Sequence, residues 1–378
     1  MKFLIMSVRA GYGHHSTGKA LIEYFNNAGH ECEMLDIFEY INPLLGNSIQ
    51  DGYLISTKYL SSYYGRIYGK LSEKDEPYPE YSITALLSNA VSKKLSSYVS
   101  DFKPDAVIGT HSYAGVIMSI MKKKKIISCM TVGIVTDFTV HPFWESTSLD
   151  YYVTPDKLLD WQMMKKGISP KKLVSTGIPI RVPFSTKMDK DEARKRLVIS
   201  DKETILLMMG TMGYGDVVET VKELDEFETD FQVLCVCGSN EKLKSVLERN
   251  KYKKDIYIYG FVDNVDVMMD ASDIIISKPG GLTTSEAFAK NLPMITMNPL
   301  PGQEDRNTDF LVNCGAVIAV NDRFSLSEAL NQVFNCPWRL EHMRESVRHI
   351  GKPNATRDLC EFIMEKCSVK KKFWEIKA

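Results

Sequence analysis

The sequence predicts an α/β protein made of two doubly wound domains. Three observations carry that prediction. Short β-branched apolar runs alternate with amphipathic segments, the pattern of a parallel sheet covered by helices on both faces. The alternation pauses once, at "STGIPIRVPFSTK" (175–187), where two prolines and few apolar positions read as a linker. It then restarts, and 378 residues are enough for two domains of ordinary size.

In chain order, "KFLIMSV" (2–8) reads as a buried strand and residues 16–28 as a helix ended by Gly29. The strands "ECEMLDI" (31–37), "DAVIGTH" (105–111), "SCMTVGIVTD" (128–137) and "YYVTP" (151–155) follow. The second set is "TILLMMG" (204–210), "FQVLCVCG" (231–238), "DIYIYGFV" (255–262), "SDIIISK" (272–278), "PMITMN" (293–298) and "AVIAV" (316–320). The last thirty or so residues look helical and charged, and no repeat or low-complexity segment interrupts the chain. Two such domains in tandem place a ligand in the cleft between them, at the carboxyl ends of the strands.

Composition narrows the function. Forty-seven basic side chains face forty-eight acidic ones, so no global field attracts nucleic acid. Lysines cluster only locally, at 122–125, 165–166 and 370–372. Such runs are solvated surface or a basic face toward an anionic membrane. Eight scattered cysteines form no CxxC pair and no metal-ligand spacing with the seven histidines, which fits a reducing compartment and no structural zinc. The N-terminus does not read as a signal peptide, and no run approaches the roughly 20 apolar residues of a membrane span. The expectation is a cytoplasmic protein that can attach to a surface.

The loop "SVRAGYGHHSTGKA" lies between the first strand and the first helix, where free amides invite phosphate. Gly13, Gly18 and Lys19 give a P-loop spacing, but Ala20 stands where magnesium needs a hydroxyl. Gly11 and Gly13 begin a dinucleotide fingerprint, with Ser16 in place of the third glycine and Asp36 at the ribose distance. A third reading makes His14 a proton acceptor projecting into the cleft. The structural alternative is a surface or capping histidine.

"SKPGGLTTSEAFAKNLP" (277–293) is the counterpart in the second domain. Gly280 and Gly281 admit a ligand close to the main chain, and Thr283 and Thr284 can cap the helix or donate hydroxyls. Glu286, read as a first-turn residue, either complements the helix dipole or accepts two hydrogen bonds from a ribose diol. In "NPLPGQEDRN" a fixed turn leads to Gln303, Glu304 and Asn307, groups suited to reading sugar hydroxyls. "GTMGYG" (210–215) adds a third glycine-rich turn, with Gly213 in it.

These two stretches resemble the donor-binding signature of two-domain nucleotide-sugar transferases. The closest resemblance is to the diacylglycerol glycosyltransferases (family 28), with plant monogalactosyldiacylglycerol synthase and bacterial processive diacylglycerol glucosyltransferases among them. "GYGHHSTGKA", "VTDFTVHPFW" and "TGIPIR" resemble the family's Gly-x-Gly-His turn, its Thr-Asp-x-x-x-His-x-x-Trp segment and its linker. The motifs span nearly the whole chain in order. Tyr12 departs from the family's frequent glycine, and 210–215 is poorer in consecutive glycines than the plant enzymes.

The resemblance implies a GT-B fold, with two facing Rossmann-like domains and a cleft between them. Residues 1–180 would bind acceptor and 181–345 the UDP-sugar, with 346–378 crossing back as helices. It implies an inverting, metal-independent hexosyl transfer from UDP-glucose or UDP-galactose to diacylglycerol. His14 would be the base. Arg181, Gly213, Gly280, Gly281, Thr283 and Thr284 would face the diphosphate, Phe261 and Val262 the uracil, Glu286 the ribose, and Gln303, Glu304 and Asn307 the hexose. Asp137, His141 and Trp144 would border the acceptor.

No cofactor or metal is expected. The partners would be UDP-sugar, diacylglycerol and the anionic inner face of the cell membrane, with no nucleic acid. The aromatic and basic stretch 53–71 is a candidate membrane contact, against the alternative of a core helix. Other acceptors, a UDP-binding module without catalysis and an NAD-dependent oxidoreductase are the alternatives.

Overall fold

In a computed structural model, the backbone is described for residues 1–9, 12–41, 93–210 and 215–375, and the side chains for all of these except Tyr12 and 370–375. The stretch 53–71 and Gly213 lie outside the described residues. The chain forms two compact units. The first comprises residues 1–181, 301–303 and 354–378, and the second residues 182–300 and 304–353.

The first unit holds a six-stranded parallel sheet in the order β2-β1-β3-β4-β5-β6. Its strands are β1 (Lys2–Ser7), β2 (Glu31–Asp36), β3 (Ala106–Gly109), β4 (Met130–Ile134), β5 (Tyr151–Val153) and β6 (Leu173–Val174). In β1 every residue after Lys2 is buried, as a strand covered on both faces requires. Helix α1 (Tyr12–Asn27) follows β1, α2 (Ile37–Ile41) follows β2, α3 (Lys93–Phe102) precedes β3, α4 (Ser112–Lys123) follows β3, and α5 (Asp160–Lys165) follows β5. Gly29 has φ +77°, the left-handed conformation a helix exit favours.

The second unit contains α6 (Val182–Ser185) and α7 (Lys190–Leu197), then its own six-stranded parallel sheet. The strands are β7 (Thr204–Met208), β8 (Gln232–Val236), β9 (Ile256–Tyr259), β10 (Ile274–Ser277), β11 (Met294–Thr296) and β12 (Val317–Ala319). Their order is β12-β11-β10-β7-β8-β9. The crossovers are α8 (Val217–Glu226), α9 (Glu241–Glu248), α10 (Val265–Ala271), α11 (Gly281–Ala289) and α12 (Gln303–Asn313). Helices α13 (Leu326–Phe334) and α14 (Pro337–Ile350) complete the unit. Inside it, Lys290 and Asp270 form a buried ion pair at 2.6 Å.

The long C-terminal helix α15 (Ala355–Glu375) belongs to the first unit. Leu359, Cys360, Ile363 and Cys367 form its apolar stripe and share one core with Phe3, Ile5, Leu21 and Phe25. At its start, the Thr356 hydroxyl donates to the Ile180 carbonyl at 2.6 Å.

Candidate active site

Both sheets reverse their winding once, and the loops at that point diverge and leave a crevice at the carboxyl ends of the strands. In the first unit the reversal lies between β1 and β3, and in the second between β7 and β10. The chemistry-bearing residues collect at these two places.

In the first unit, α1 begins at Tyr12, four residues earlier than the sequence suggested. His14 therefore lies in the first turn of a helix and not in the loop before it. Its Nδ1 is 2.8 Å from the Thr110 carbonyl oxygen, just after β3. A carbonyl only accepts, so Nδ1 carries the proton and the neutral ring keeps its lone pair on Nε2. The Thr136 hydroxyl, beyond β4, is 3.0 Å from the same Nδ1. Burial pushes the His14 pKa down to about 4, with a small push from His15, while the Thr110 contact opposes it. At neutral pH the ring is an unprotonated acceptor.

Two further histidines surround it. His111 is the N-cap of α4, its Nδ1 accepting from the Tyr113 amide at 3.1 Å. Its proton is thereby assigned to Nε2. The His14 and His111 rings meet edge to face, with centroids 4.5 Å apart. Burial, with His14 and His141 nearby, drives the His111 pKa well below its usual value. His141 repeats the device, capping a short 3₁₀ turn (Pro142–Ser146) by accepting from the Phe143 amide at 3.2 Å. Burial, followed by the charge of Lys166 and the nearness of His14, lowers its pKa to about 3. His15 instead engages Ser7 at 3.1 Å. The cluster of His14, His111 and His141 thus offers one imidazole acceptor and two neutral imidazole donors.

The other first-unit candidates divide. Asp137 is half-buried, and its carboxylate accepts from the Gln303 amide. Trp144 is 2% exposed and packs in the core. A Cβ at Gly115 or Gly133 would meet its ring at 2.7 Å, so these two glycines make room for the indole. Arg181 ends the first continuous stretch of the first unit, half-buried.

In the second unit, β10 leads into a tight turn in which the Gly280 amide donates to the Lys278 carbonyl at 2.9 Å. Asn307 fixes this turn by donating to the Pro279 carbonyl at 2.9 Å. Asn307 is fully buried, so it shapes the loop and does not face outward to read hydroxyls. Helix α11 starts at Gly281 with Gly280 as its N-cap and no side-chain cap, which leaves its first amides and the positive end of its dipole for an anion. Lys278 reaches Glu304 Oε1 at 3.1 Å, and the Leu300 amide donates to Oε2 at 2.7 Å. Gly210, after β7, has φ +77° and lies beside Lys278, where a Cβ would meet its Cε at 3.4 Å.

Three expectations need correction here. Glu286 is buried in the second turn of α11, because the helix starts only at Gly281. Thr284 is fully buried, its hydroxyl 4.0 Å from Met294 Sδ, so it serves the core, whereas Thr283 is half-buried in the first turn. Strand β9 stops at Tyr259, so Phe261, 73% exposed, and the half-buried Val262 sit in the following loop. Gly281 itself is buried.

Residues 14–180 match the family model of monogalactosyldiacylglycerol (MGDG) synthase, and residues 189–350 match that of group 1 glycosyl transferases. The processive diacylglycerol beta-glucosyltransferase of Bacillus licheniformis is 30% identical over 97% of this chain and 95% of its own length. The chain belongs to the diacylglycerol glycosyltransferase family. The Bacillus thuringiensis member is likewise 30% identical, over 100% of this chain and 97% of its own. Among solved structures, Acinetobacter baumannii MurG superposes with a TM-score of 0.61 at 15% identity, covering 96% of this chain and 99% of its own. S. aureus MnaA, solved with UDP, gives 0.60 at 15% identity over 97% and 96%. The family's fold is GT-B, as its sequence motifs imply.

Sequence reasoning passed over His111, Thr136 and Lys278. His111 had a readable signal, since it ends an apolar strand and precedes a helix. Thr136 and Lys278 carried none beyond their nearness to motifs.

Proposed function

We propose that the protein transfers a hexose from a UDP-sugar to the 3-hydroxyl of diacylglycerol, inverting the anomeric carbon to a β-glycoside. The observation that supports this reading most is the fixed tautomer of His14. With Nδ1–H committed to the Thr110 carbonyl, only Nε2 is available to take a proton. The acceptor O–H donates to Nε2, its oxygen bonds to the anomeric carbon, and the bond from that carbon to the UDP oxygen breaks. The proton ends on His14 as imidazolium, and the electron pair leaves with UDP. The hydroxyl becomes acidic as it bonds to carbon, so a weak base in a desolvated place serves. His111 and His141, each neutral with Nε2–H, orient the attacking oxygen, and Asp137 borders the acceptor.

The leaving diphosphate gathers charge against the first amides of α11, Gly280, Thr283 and Lys278, all within the second unit. In this reading that cradle does the work of a metal, and chelators leave turnover unchanged. Glu286 holds the ribose, Phe261 and Val262 the uracil. Glu304, oriented by Lys278 and the Leu300 amide, keeps acceptor capacity for a sugar hydroxyl, with Gln303 beside it. The lipid acceptor places the protein at the anionic inner face of the cell membrane. The test is UDP release from a panel of UDP-sugars with and without diacylglycerol. Release that requires both a UDP-hexose and diacylglycerol is expected. Release with an unrelated acceptor alone, or none with any sugar, contradicts the proposal.

A further inference from the structure

Most large apolar side chains exposed in the described residues stand singly along the chain, at Val198, Val246, Phe261 and Trp338 for example. Three do not. Leu158 is 63% exposed, Trp161 62% and Met164 37%, and they recur every third residue through a 3₁₀ turn and α5. The opposite side of this segment is anchored, since Leu159 and Met163 are fully buried. Gln162 pins it further by accepting from the Val140 amide at 3.3 Å. The apolar face is thus held outward by a firmly packed segment, and an exposed cluster containing tryptophan marks a surface that something covers.

The charges around it identify the cover. Lys157 and Lys165, four residues before and after Trp161, are exposed, and their ammonium groups have no hydrogen-bond or ion-pair partner among the described residues. The carboxylates nearby are already engaged. Asp156 caps the Leu158 amide at 2.9 Å, Asp160 accepts from Thr154 at 2.8 Å and from Ser175 at 3.0 Å, and Glu145 pairs with Lys166 at 2.6 Å. What remains facing out is an apolar centre with a cationic rim. Tryptophan prefers the level of lipid headgroups, and lysine stems can lie along apolar surface while their ammonium groups reach phosphates.

We infer that the surface formed by Leu158, Trp161 and Met164, flanked by Lys157 and Lys165, is where this protein docks on an anionic lipid bilayer. The inference rests on the reading that its acceptor is a membrane lipid. It places the contact in the first unit, on a segment separate from 53–71.

The full-length protein is mixed with phosphatidylglycerol/phosphatidylcholine vesicles and its partitioning measured by sedimentation. Leu158→Ser with Trp161→Ala lowers partitioning about tenfold or more. Lys157→Gln and Lys165→Gln lower it by roughly fivefold each at low salt, with less effect at high salt. Brominated lipids quench the wild-type tryptophan fluorescence more than that of Trp161→Phe. Trp338→Ala leaves binding unchanged, and UDP release with diacylglycerol in detergent micelles survives every one of these variants. If wild type binds and the double variant binds equally well, or Trp161→Phe is quenched like wild type, the docking surface is refuted while the membrane reading stands. If wild type ignores anionic vesicles, both fall. A changed oligomeric state with unchanged vesicle binding assigns the patch to a subunit contact and refutes the inference.

Discussion

Removing water from around His14 has a consequence that steady-state kinetics can read. An imidazole with its ordinary pKa near 6.5 is only about 3% unprotonated at pH 5. With the pKa pushed down to about 4, the same ring is about 90% unprotonated there. The dependence of kcat/KM on pH reports the free enzyme's essential base. UDP release is followed at subsaturating acceptor, with diacylglycerol dispersed in detergent, from pH 8 to pH 3.5. The rate constant is expected to hold within about twofold down to pH 5 and to fall only near pH 4. A half-fall near pH 6.5 would refute the tautomer-and-burial argument, because the base would then be solvated or a different group.

Two further predictions concern stability. His141 is neutral in the fold and protonates readily once unfolded, so the unfolded chain binds the extra proton and stability falls as pH drops below about 6.5 toward 3. His141→Asn keeps a cap acceptor and removes that titration, and its loss of stability between pH 7 and pH 5 should be smaller than wild type's by about 2 kcal/mol in urea titrations. An equal loss would show that His141 does not titrate as described. Lys290 and Asp270 are each 1% exposed at the side chain and 2.6 Å apart. Lys290→Met strands the carboxylate and is expected to cost about 3–5 kcal/mol, largely recovered by adding Asp270→Leu. Urea midpoints of the single and double variants check this, and a single variant as stable as wild type contradicts it.

The strands were legible because both sheets are parallel and covered on both faces, which writes each strand as an unbroken apolar run such as Leu4–Ile5 or Ile274–Ile276. The two residues of β6 are too few to make such a run. The start of α1 was hidden by Gly13, which reads as loop although it lies within the helix. Glu286 shifted by a turn because Gly280, and not a threonine, is the N-cap of α11. Trp144 looked like a site residue in "HPFW". Its burial depends on Gly115 and Gly133, whose missing side chains matter only once α4 and β4 are packed together. The histidine cluster follows the same logic: Gly-x-Gly-His announces His14, but the carbonyl that sets its tautomer comes from Thr110, across the sheet.

The proposed transfer turns on one atom, His14 Nε2. The direct measurement is UDP release by His14→Ala beside its affinity for UDP by calorimetry. A fall in kcat of about 10²–10⁴-fold with unchanged UDP affinity is expected. Turnover close to wild type would contradict the assignment of the base, and lost UDP affinity would mean that His14 serves the donor instead.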